Sequence, residues 1–546
     1  MFARVKKSGK YQYLQIVENR KEKGKVKQRV IATIGRMDQL QAKDRIETLI
    51  HSLSRFSERT MLILSGNREV LADAKKIGPA MIFERLWDRT GIRHAIIKAL
   101  SGRLYEFDVE RAIFLTVVHR LMVSGSDRFC DQWHRDYVID GIEGIELHHL
   151  YRAMGFLGSE LSDQTKATPF APRCVKDQIE EDLFFHRRDL FTGLDLVFFD
   201  TTSIYFEGQG GETLGQRGYS KDHRPDLKQM VVSVILDDKG QPICCEMWPG
   251  NTADVTTLLP VVEQIKKRFA IRSFCIVADR GMISADTINE LESDENKMLY
   301  ILGARMRKVK AIREQVLSRP GRYSQVCEEG KSSKDPSPLK VKQVDLDGQR
   351  FIVCVNPRQA KKEAADRDLI INALKDQLKK GPKSIVGNKG YRKYLKIAKD
   401  SVQIDEDKIE SEARFDGKWV LRTNTDLSAS KIALKYKQLW QVERVFRDVK
   451  SILETRPIFH HRDATIRGHV FCSFLALVLR KELDRCLDTA GHDFEWAQIK
   501  QDLKALQTVE IEENKNRLAV RTQCVGVSGK VFQAVGVALP PTIKEI

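Results

Sequence analysis

Residues 436–450 read YKQLWQVERVFRDVK, and they lie within a longer segment, residues 430–456, that contains neither glycine nor proline. Apolar residues recur in this segment at intervals of three and four, the spacing of one face of an amphipathic helix. The residues on that face are Leu439, Val442, Phe446, Val449 and Leu453. The pattern predicts one continuous helix with one buried side.

Three polar residues in the same stretch, Tyr436, Glu443 and Lys450, are spaced seven apart. Since two helical turns return a side chain to within roughly 20° of its first direction, they are expected on one stripe. An ordinary helix with solvated charges shows the same spacing. Two acids earlier in the chain, Asp200 and Asp279, favour a functional interpretation because they stand in quite different settings.

Each of those acids follows a short apolar run of the kind that forms a buried strand. The run LVFF at residues 196–199 precedes Asp200, and a run ending in CIVA at residue 278 precedes Asp279. An acid at the end of a buried strand is a poor core residue unless it is paired or binds a cation. Both acids are therefore candidate functional residues.

The predicted elements around these acids are three strands in hairpin sequence, a helix, a strand, a helix and a strand. The predicted strands are residues 196–199, 229–236, 242–248, 271–278 and 298–302. This order matches a ribonuclease-H-like fold, an α/β core with a mixed five-stranded sheet and flanking helices. Its first and fourth strands are neighbours, so Asp200 and Asp279 are expected to lie close together.

A long stretch separates the last of these strands from the helix that carries Glu443. Residues 305–428 are too many for a loop of a compact domain, and their strand-like runs predict a β-containing insertion domain. The predicted organisation is a basic N-terminal hairpin arm (1–60), a helical DNA-binding region (61–190), the first part of the core (191–304), the insertion (305–428), the second part of the core (429–483) and a C-terminal region of helices and strands (484–546).

The chain has 546 residues and a formal net charge of +17, which favours a polyanionic partner, nucleic acid before membrane. Its length predicts several domains. The ten cysteines fall at irregular spacings without a CxxC pair, which argues against a zinc finger and against a disulfide framework. No apolar run reaches the length of a membrane span, and a reducing cytoplasm is the expected compartment.

Basic residues are concentrated at the start of the chain, where residues 1–36 hold eleven Lys or Arg against two acids. Residues 11–17 and 26–34 are predicted to form the two strands of a hairpin. Two interpretations stay open: a solvated edge hairpin, or an arm that contacts DNA phosphates and gains from counterion release. In the second interpretation the contacting side chains are Lys21, Lys23, Lys25 and Lys27.

Converging carboxylates from Asp200, Asp279 and Glu443, with no thiol among them, suit a hard cation such as Mg²⁺ or Mn²⁺. Two such ions about 3.5–4 Å apart activate a water or hydroxyl and stabilise the leaving oxygen of an in-line phosphoryl displacement. A positively charged chain would bind the phosphodiester. The residues by themselves predict metal-dependent phosphoryl transfer on a nucleic acid.

Four stretches together resemble the insertion-sequence transposases of the DDE superfamily. Within it they resemble the branch with a Tyr-Arg-Glu-Lys signature, which is the IS four family and its near relatives. The stretches are FFDTTSIYFEG (198–208), GYSKDHRPDLKQMVVSVILDDKGQPICCEMWPGNTAD (218–254), IVADRGMIS (276–284) and YKQLWQVERVFRDVKSILETRPIFHH (436–461). The resemblance covers most of the chain.

The resemblance implies that Asp200, Asp279 and Glu443 form the catalytic, metal-binding triad. It also implies that Tyr436 and Lys450 contact the DNA end near the cleaved strand. The cofactors it implies are two Mg²⁺ or Mn²⁺ ions held by the triad.

One position departs from the signature, because Leu439 stands where the family has its arginine. Arg444 or Arg447 could supply an arginine contact with DNA instead, although neither lies on the motif. Any arginine contact at the signature position itself is therefore in doubt.

The implied reaction is hydrolysis of the phosphodiester at the ends of the element, followed by transfer of the freed 3′-hydroxyls to target DNA by transesterification. The expected partners are double-stranded DNA, as terminal inverted repeats and as target, and a second copy of the chain in a homodimer on DNA. A bacterial cytoplasmic protein that associates with the nucleoid is expected. The alternatives are a catalytically retired DNA-binding protein and another ribonuclease-H-like DNA nuclease.

Overall fold

A computed structural model of the chain describes most of its residues. The described ranges are 2–22, 25–41, 71–167, 171–188, 196–221, 223–271, 274–293, 297–326, 339–379, 392–397, 402–447, 458–513 and 516–545. The chain divides into two compact units. The smaller comprises Met1–Arg85, Gln132–Asp140 and Arg485–Ile546, and the larger comprises Leu86–Asp131 and Gly141–Asp484. The six predicted segments are a finer division, which stays a prediction.

The elements of the described ranges are numbered in chain order. The strands are β1 Phe2–Ser8, β2 Tyr11–Glu22, β3 Lys25–Arg36, β4 Leu71–Lys76, β5 Leu196–Tyr205, β6 Gln229–Asp237, β7 Pro242–Pro249, β8 Cys275–Ala278, β9 Leu299–Gly303, β10 Ser324–Gln325, β11 Lys340–Leu346, β12 Gln349–Val355, β13 Leu395–Ile397, β14 Val402–Ile404, β15 Lys418–Thr423, β16 Gln507–Glu513, β17 Asn516–Arg521 and β18 Ile543–Glu545. The helices are α1 Met37–Gln41, α2 Gly78–Arg89, α3 Ile92–Leu100, α4 Val109–Met122, α5 Asp127–Trp133, α6 Leu147–Leu157, α7 Val175–Arg187, α8 Leu258–Phe269, α9 Ala285–Glu292, α10 Pro357–Lys379, α11 Glu406–Ala413, α12 Ala429–Lys437, α13 Trp440–Arg447, α14 Asp463–Thr489, α15 Trp496–Ala505 and α16 Ser528–Val535.

The larger unit is built on a nine-stranded sheet in the order β10-β11-β12-β15-β9-β8-β5-β6-β7. Strands β5, β8 and β9 run parallel, while β6 and β7 continue antiparallel beside β5. The predicted order of the five core strands, with the first and fourth side by side, is therefore confirmed. Strands β5, β6 and β8 are buried along almost their whole length, which is why apolar runs mark them in the sequence.

The stretch expected to form a separate insertion domain instead supplies four more strands of the same sheet. Strand β15 pairs antiparallel with β9, and β12, β11 and β10 follow outward. This pairing satisfies the backbone groups that the outer edge of β9 would otherwise leave open. Only β13 and β14 form a sheet of their own, packed on α10 around Leu374 and Tyr394. The strands predicted in this stretch are present, but the sequence did not predict that they extend the core sheet.

The main core of the larger unit lies between the five core strands and the helices α7, α8 and α9. Its largest buried side chains include Trp248, Phe199 and Phe269. Burial of such side chains stabilises the fold by about 1.5–3 kcal/mol each. This packing fixes the strand ends at which the candidate acids lie.

A buried ion network joins helix α7 to strand β7 and helix α8. The guanidinium of Arg268 donates to Glu180 Oε2 at 2.6 Å and to Glu246 Oε1 at 2.9 Å. The ammonium of Lys176 lies 2.5 Å from Asp177 Oδ1, and Arg268 Nη1 lies 3.2 Å from the same carboxylate oxygen. Burial raises the pKa of Glu246 to about 7. These charges face one another instead of water.

The helices of the larger unit include two that are long and largely apolar. Helix α4 is buried along its whole length, and Asp108 caps it by accepting a hydrogen bond from the Arg111 N–H at 3.0 Å. Helix α14 has 27 residues. No helix in the described ranges, α14 included, is long and apolar enough to cross a membrane.

The smaller unit contains two antiparallel sheets. In the first, β2 and β3 form the predicted basic hairpin, and β1, which the sequence did not predict, pairs with the other side of β2. The second has the order β18-β17-β16-β4. The side chains of Lys21, Lys23 and Lys25 lie outside the described residues, whereas Lys27 is exposed on β3.

Candidate active site

Two of the predicted acids, Asp200 and Asp279, follow directly from paired positions on two parallel strands. Phe199 of β5 and Ala278 of β8 are register partners, so the next residue on each chain is one of the acids. Both acids are half-buried. Strand β5 does not end at Asp200 as predicted but continues to Tyr205, because the residues that follow pair with β6. Asp200 is therefore held inside a strand, and Asp279 at the end of one.

The environment of Asp200 disfavours its negative charge. Burial, together with the carboxylates of Asp279 and Asp254, raises the pKa of Asp200 to about 6, against the opposing effects of Lys221 and of the Thr201 backbone. The Thr201 N–H donates to Asp200 Oδ1 at 2.7 Å. A carboxylate whose pKa is raised by burial and by like charges would be stabilised by a bound cation.

Asp279 is held by the predicted tyrosine, since the Tyr436 hydroxyl donates to Asp279 Oδ1 at 2.9 Å. Burial, together with the nearby Asp279 carboxylate, raises the pKa of the Tyr436 phenol well above its ordinary value, so the phenol keeps its proton. Gly303, at the end of β9, makes room for this contact. A β-carbon there would collide with the Tyr436 hydroxyl and lie 3.3 Å from Asp279 Oδ1.

Two further side chains belong to this group and were not singled out from the sequence. Lys221 Nζ lies 3.0 Å from Asp254 Oδ2 and donates to the Thr201 carbonyl at 2.7 Å. The Thr201 hydroxyl donates to Asp254 Oδ1 at 2.8 Å. Both Lys221 and Asp254 fall within the stretch 218–254 that carries the resemblance, and that is the signal that could have found them.

The predicted single helix over residues 430–456 is wrong in the described residues, because α12 ends at Lys437 and α13 begins at Trp440. The Leu439 N–H bonds to the Tyr436 carbonyl at 3.0 Å, a three-residue step that tightens the chain between the helices. With no glycine or proline in the segment, the sequence carries no local signal for this break. Tyr436 and Glu443 therefore lie on different helices instead of on one stripe.

Glu443 lies on α13, which packs against β5 and β6 through Val442, Val445 and Phe446. The Glu443 side chain is exposed and, among the described residues, has no hydrogen-bond or ion-pair partner. Within the described ranges, the donor oxygens of Asp200, Asp279 and Glu443 do not all lie within 4.8 Å of one another. The structure thus brings two of the three acids together and leaves the third on an adjacent helix.

The other predicted DNA contacts divide into exposed and undescribed positions. Arg444 and Arg447 are exposed on α13, and Lys450 lies outside the described residues. Leu439, at the position of the signature arginine, is only 7% exposed and belongs to the core. That position therefore contributes packing in this chain.

Two family models match parts of this chain. A family model described as a transposase DDE domain matches residues 192–479, just over half of the chain. The N-terminal domain of the IS1634 family of transposases matches residues 3–68. No curated protein matches the chain. One solved structure, a cryo-EM structure of the piggyBac transposase synaptic complex with hairpin DNA, is 11% identical over 78% of this chain and 79% of that one, with a TM-score of 0.37. A likeness at that level carries no argument.

Proposed function

The chain belongs to the DDE transposases, and on that premise we propose that it cuts the ends of an insertion sequence and joins them to target DNA. The first step is hydrolysis of the phosphodiester at each end, and the second is transesterification by the freed 3′-hydroxyl. The observation that carries this proposal is the pair Asp200 and Asp279 at neighbouring positions of two parallel strands. Membership in the IS four branch stays a prediction, since the N-terminal match is to the IS1634 family.

The donor set fits a hard divalent cation. Its members offer only carboxylate oxygens, and the raised pKa of Asp200 reflects burial among like charges, which the nearby Lys221 opposes. In our proposal Asp200, Asp279 and Glu443 hold Mg²⁺ or Mn²⁺, as two ions. When bound, such ions supply Lewis-acid stabilisation of the attacking and leaving oxygens.

The side chains of the chain itself then have distinct tasks. Tyr436 orients Asp279 through its hydrogen bond at 2.9 Å, and it is a positioning residue, since a protonated phenol is a weak nucleophile. Lys221 neutralises Asp254 beside the site. In our proposal Glu443, which is exposed on a helix that packs on β5, supplies the third carboxylate.

DNA binding is expected from the charge of the whole chain, +17, and from exposed basic residues near the site and on the arm. We propose that Arg444, Arg447 and Lys450 contact the element end near the cleaved strand. The lysines of the arm, Lys21, Lys23, Lys25 and Lys27, are proposed to contact phosphates. Because two ends must be cut in concert, a homodimer on DNA is the proposed working assembly.

An excision assay tests the proposal. The substrate is a supercoiled donor plasmid with the element ends in Mg²⁺, and DNA-end binding is measured in parallel. We expect that Asp200→Ala, Asp279→Ala and Glu443→Ala each abolish cleavage and leave end binding largely intact. The matched control is Asp286→Ala, an exposed acid on α9, which should cleave like the wild type.

The outcomes separate the alternatives. Wild-type protein that binds ends and never cleaves them would favour a retired DNA-binding protein. Cleavage without any requirement for terminal repeats would favour another ribonuclease-H-like nuclease. Cleavage that survives all three substitutions would overturn the assignment of the site.

A further inference from the structure

A second group of metal-binding side chains lies in the larger unit, formed by Asp127, His460 and His469. Asp127 is the first residue of α5, His469 lies on α14, and His460 lies two residues after Ile458, which forms a bridge with Phe206 beyond the end of β5. We propose that these three residues bind a divalent transition-metal ion, Zn²⁺ foremost, with one coordination position open to an adjacent cavity.

The distances among the three donor atoms suit such an ion. Asp127 Oδ2 lies 3.5 Å from His460 Nε2 and 4.0 Å from His469 Nδ1, and the two imidazole nitrogens are 3.2 Å apart. A triangle with these sides has a point about 2.1 Å from all three corners, which is the length of Zn–N and Zn–O bonds in proteins. An ion could therefore enter with little movement of its ligands.

The hydrogen bonds of the site fix the tautomer that a metal requires. Arg120 Nη2 lies 2.9 Å from His469 Nδ1, and a guanidinium has only donors, so Nδ1 must present its lone pair. His460 Nε2 faces both this lone pair and the Asp127 carboxylate. The His469 lone pair and the Asp127 carboxylate therefore face the donors of Arg120 and His460. A metal ion would bind at this point in place of those donors.

The positive charge of Arg120 does not exclude an ion here. Arg120 Nη2 lies 3.7 Å from Asp127 Oδ1, while the other oxygen of that carboxylate faces the histidines. Arg120 also donates to the His469 carbonyl and, at 2.7 Å, to Ser473 Oγ, so it is anchored without its contact to the ring. It would then act as an outer-shell partner that orients the carboxylate ligand.

The open position faces a cavity of about 970 Å³, whose lining includes all three proposed ligands together with Tyr151 and Thr465. An ion and a water can therefore reach the site from solvent. Two imidazoles with one carboxylate favour Zn²⁺ or a similar transition metal over Mg²⁺, which prefers oxygen ligands. The site is thus chemically distinct from the carboxylate group around Asp200.

The other compact group of potential ligands, Glu180, Cys244 and Glu246, does not compete as a candidate. The guanidinium of Arg268 donates to both carboxylates and already fills the space between them. Asp127, His460 and His469 are different, because Arg120 contacts the His469 nitrogen at 2.9 Å while the Asp127 oxygen in the group faces His460 at 3.5 Å.

A bound ion would link three segments that are far apart in the sequence. His460 precedes α14 and follows the bridge to β5, the strand that also carries Asp200. An ion at this point would hold the segment between the bridge and α14 against α5. Its role in this proposal is to fix that segment, and it takes no part in the phosphoryl transfer.

The test is zinc binding by the full-length chain without an affinity tag, stripped with EDTA and titrated in excess Mg²⁺. We expect one Zn²⁺ per chain, and we expect Co²⁺ at the same site to give the visible absorption of a low-symmetry N/O site. His460→Gln should weaken binding by about 100-fold or more, since loss of an outer-shell partner alone reaches that size. The matched control, His461→Gln, replaces an exposed histidine of the same cavity and should bind like the wild type.

Three results would overturn the proposal. They are absence of a zinc equivalent in the folded wild type, equal binding by His460→Gln and the wild type, and loss of the zinc equivalent in Asp200→Ala. If His469→Gln, a more deeply packed change, does not fold, circular dichroism will show it, and His460→Gln decides the matter. Retention of zinc in Asp200→Ala separates this site from the candidate active site.

Discussion

The larger unit gathers carboxylates at two places and treats their charge in opposite ways. Around Arg268, the acids Asp177, Glu180, Glu181 and Glu246 meet two buried cations, Arg268 and Lys176, and Glu181 also pairs with Arg173. Burial raises the pKa of Glu246 to about 7, which favours its neutral form. The cations that face these acids come from the chain itself.

Around Asp200, the described residues form an ion pair with one of three carboxylates, Asp254, and not with Asp200 or Asp279. Lys221 is paired with Asp254, while Asp200 and Asp279 lie beside each other with a phenol and a backbone N–H as their donors. The comparison indicates that acids supplied with internal cations serve the fold, and that acids left without them are placed for an external cation. The following predictions test that distinction.

The largest expected effect is on catalysis, from Asp279→Asn. The amide keeps an acceptor for the Tyr436 hydroxyl but loses the charge, so we expect excision to fall by more than about 100-fold in Mg²⁺. The free energy of unfolding, measured by urea denaturation, should change by less than about 1 kcal/mol because no internal cation loses a partner. An Asp279→Asn protein that still excises the element would show that the charge of Asp279 is not needed for catalysis.

The next effect is on stability, from Arg268→Met. Removing one partner of a buried ion network leaves uncompensated charge and costs about 3–5 kcal/mol. We expect early urea unfolding and faster hydrogen exchange in α7 and α8. Lys267→Met, on the same helix but exposed, is the control and should stay within about 0.5 kcal/mol of the wild type. If the two variants are equally stable, the network around Arg268 does not hold the fold.

A smaller effect with opposite sign is expected for Asp200→Asn in the metal-free protein. The pKa of Asp200 in the folded protein is about 6, so between about pH 4 and 6 the folded protein binds more protons than the unfolded chain. The free energy of unfolding therefore falls as the pH rises through that window. Asp200→Asn should therefore stabilise the protein at pH 8 by about 1–2 kcal/mol, allowing for partial solvent screening, and by almost nothing at pH 4.

Mg²⁺ provides the control for that prediction. A bound ion stabilises the wild type by mass action. It should therefore reduce the difference in the free energy of unfolding between the wild type and Asp200→Asn at pH 8. Thermal unfolding in EDTA and in Mg²⁺ gives both values. If the wild type is more stable than Asp200→Asn at pH 8 in EDTA, the charge of Asp200 does not destabilise the metal-free protein, and this prediction is wrong.

The smallest effect is the energetic coupling between Gly303 and Tyr436. Gly303→Ala should destabilise the protein by about 1–3 kcal/mol, because the new methyl group collides with the Tyr436 hydroxyl. In a Tyr436→Phe background the same change should cost less, by at least about 0.5 kcal/mol. Additive costs in this double-mutant cycle would show that the hydroxyl is not held where the structure has it.

The sequence was sufficient for the part of this site that depends on buried strands. Uninterrupted apolar runs predict β5 and β8, and the order of the elements makes these strands neighbours, so the sequence predicts that Asp200 and Asp279 lie close together. Such runs are distinctive because strands buried on both faces have no polar alternation.

The rest depended on tertiary contacts that leave little local signal. The break between α12 and α13 contains no glycine or proline, and Leu439 became a core residue although the family signature has an arginine there. Arg268 and Glu180 are 88 residues apart in the chain, so nothing in either neighbourhood predicts their pairing. The attachment of β15 to β9 was missed for the same reason, because it depends on which sheet edge is open.

The most direct test of the central claim is anomalous diffraction from crystals of the protein bound to an element end and soaked with Mn²⁺. The account predicts manganese ligated by carboxylate oxygens of Asp200 and Asp279, with Glu443 turned in to complete the site. Manganese bound elsewhere, or a Glu443 that stays remote from the ions on bound DNA, would contradict it.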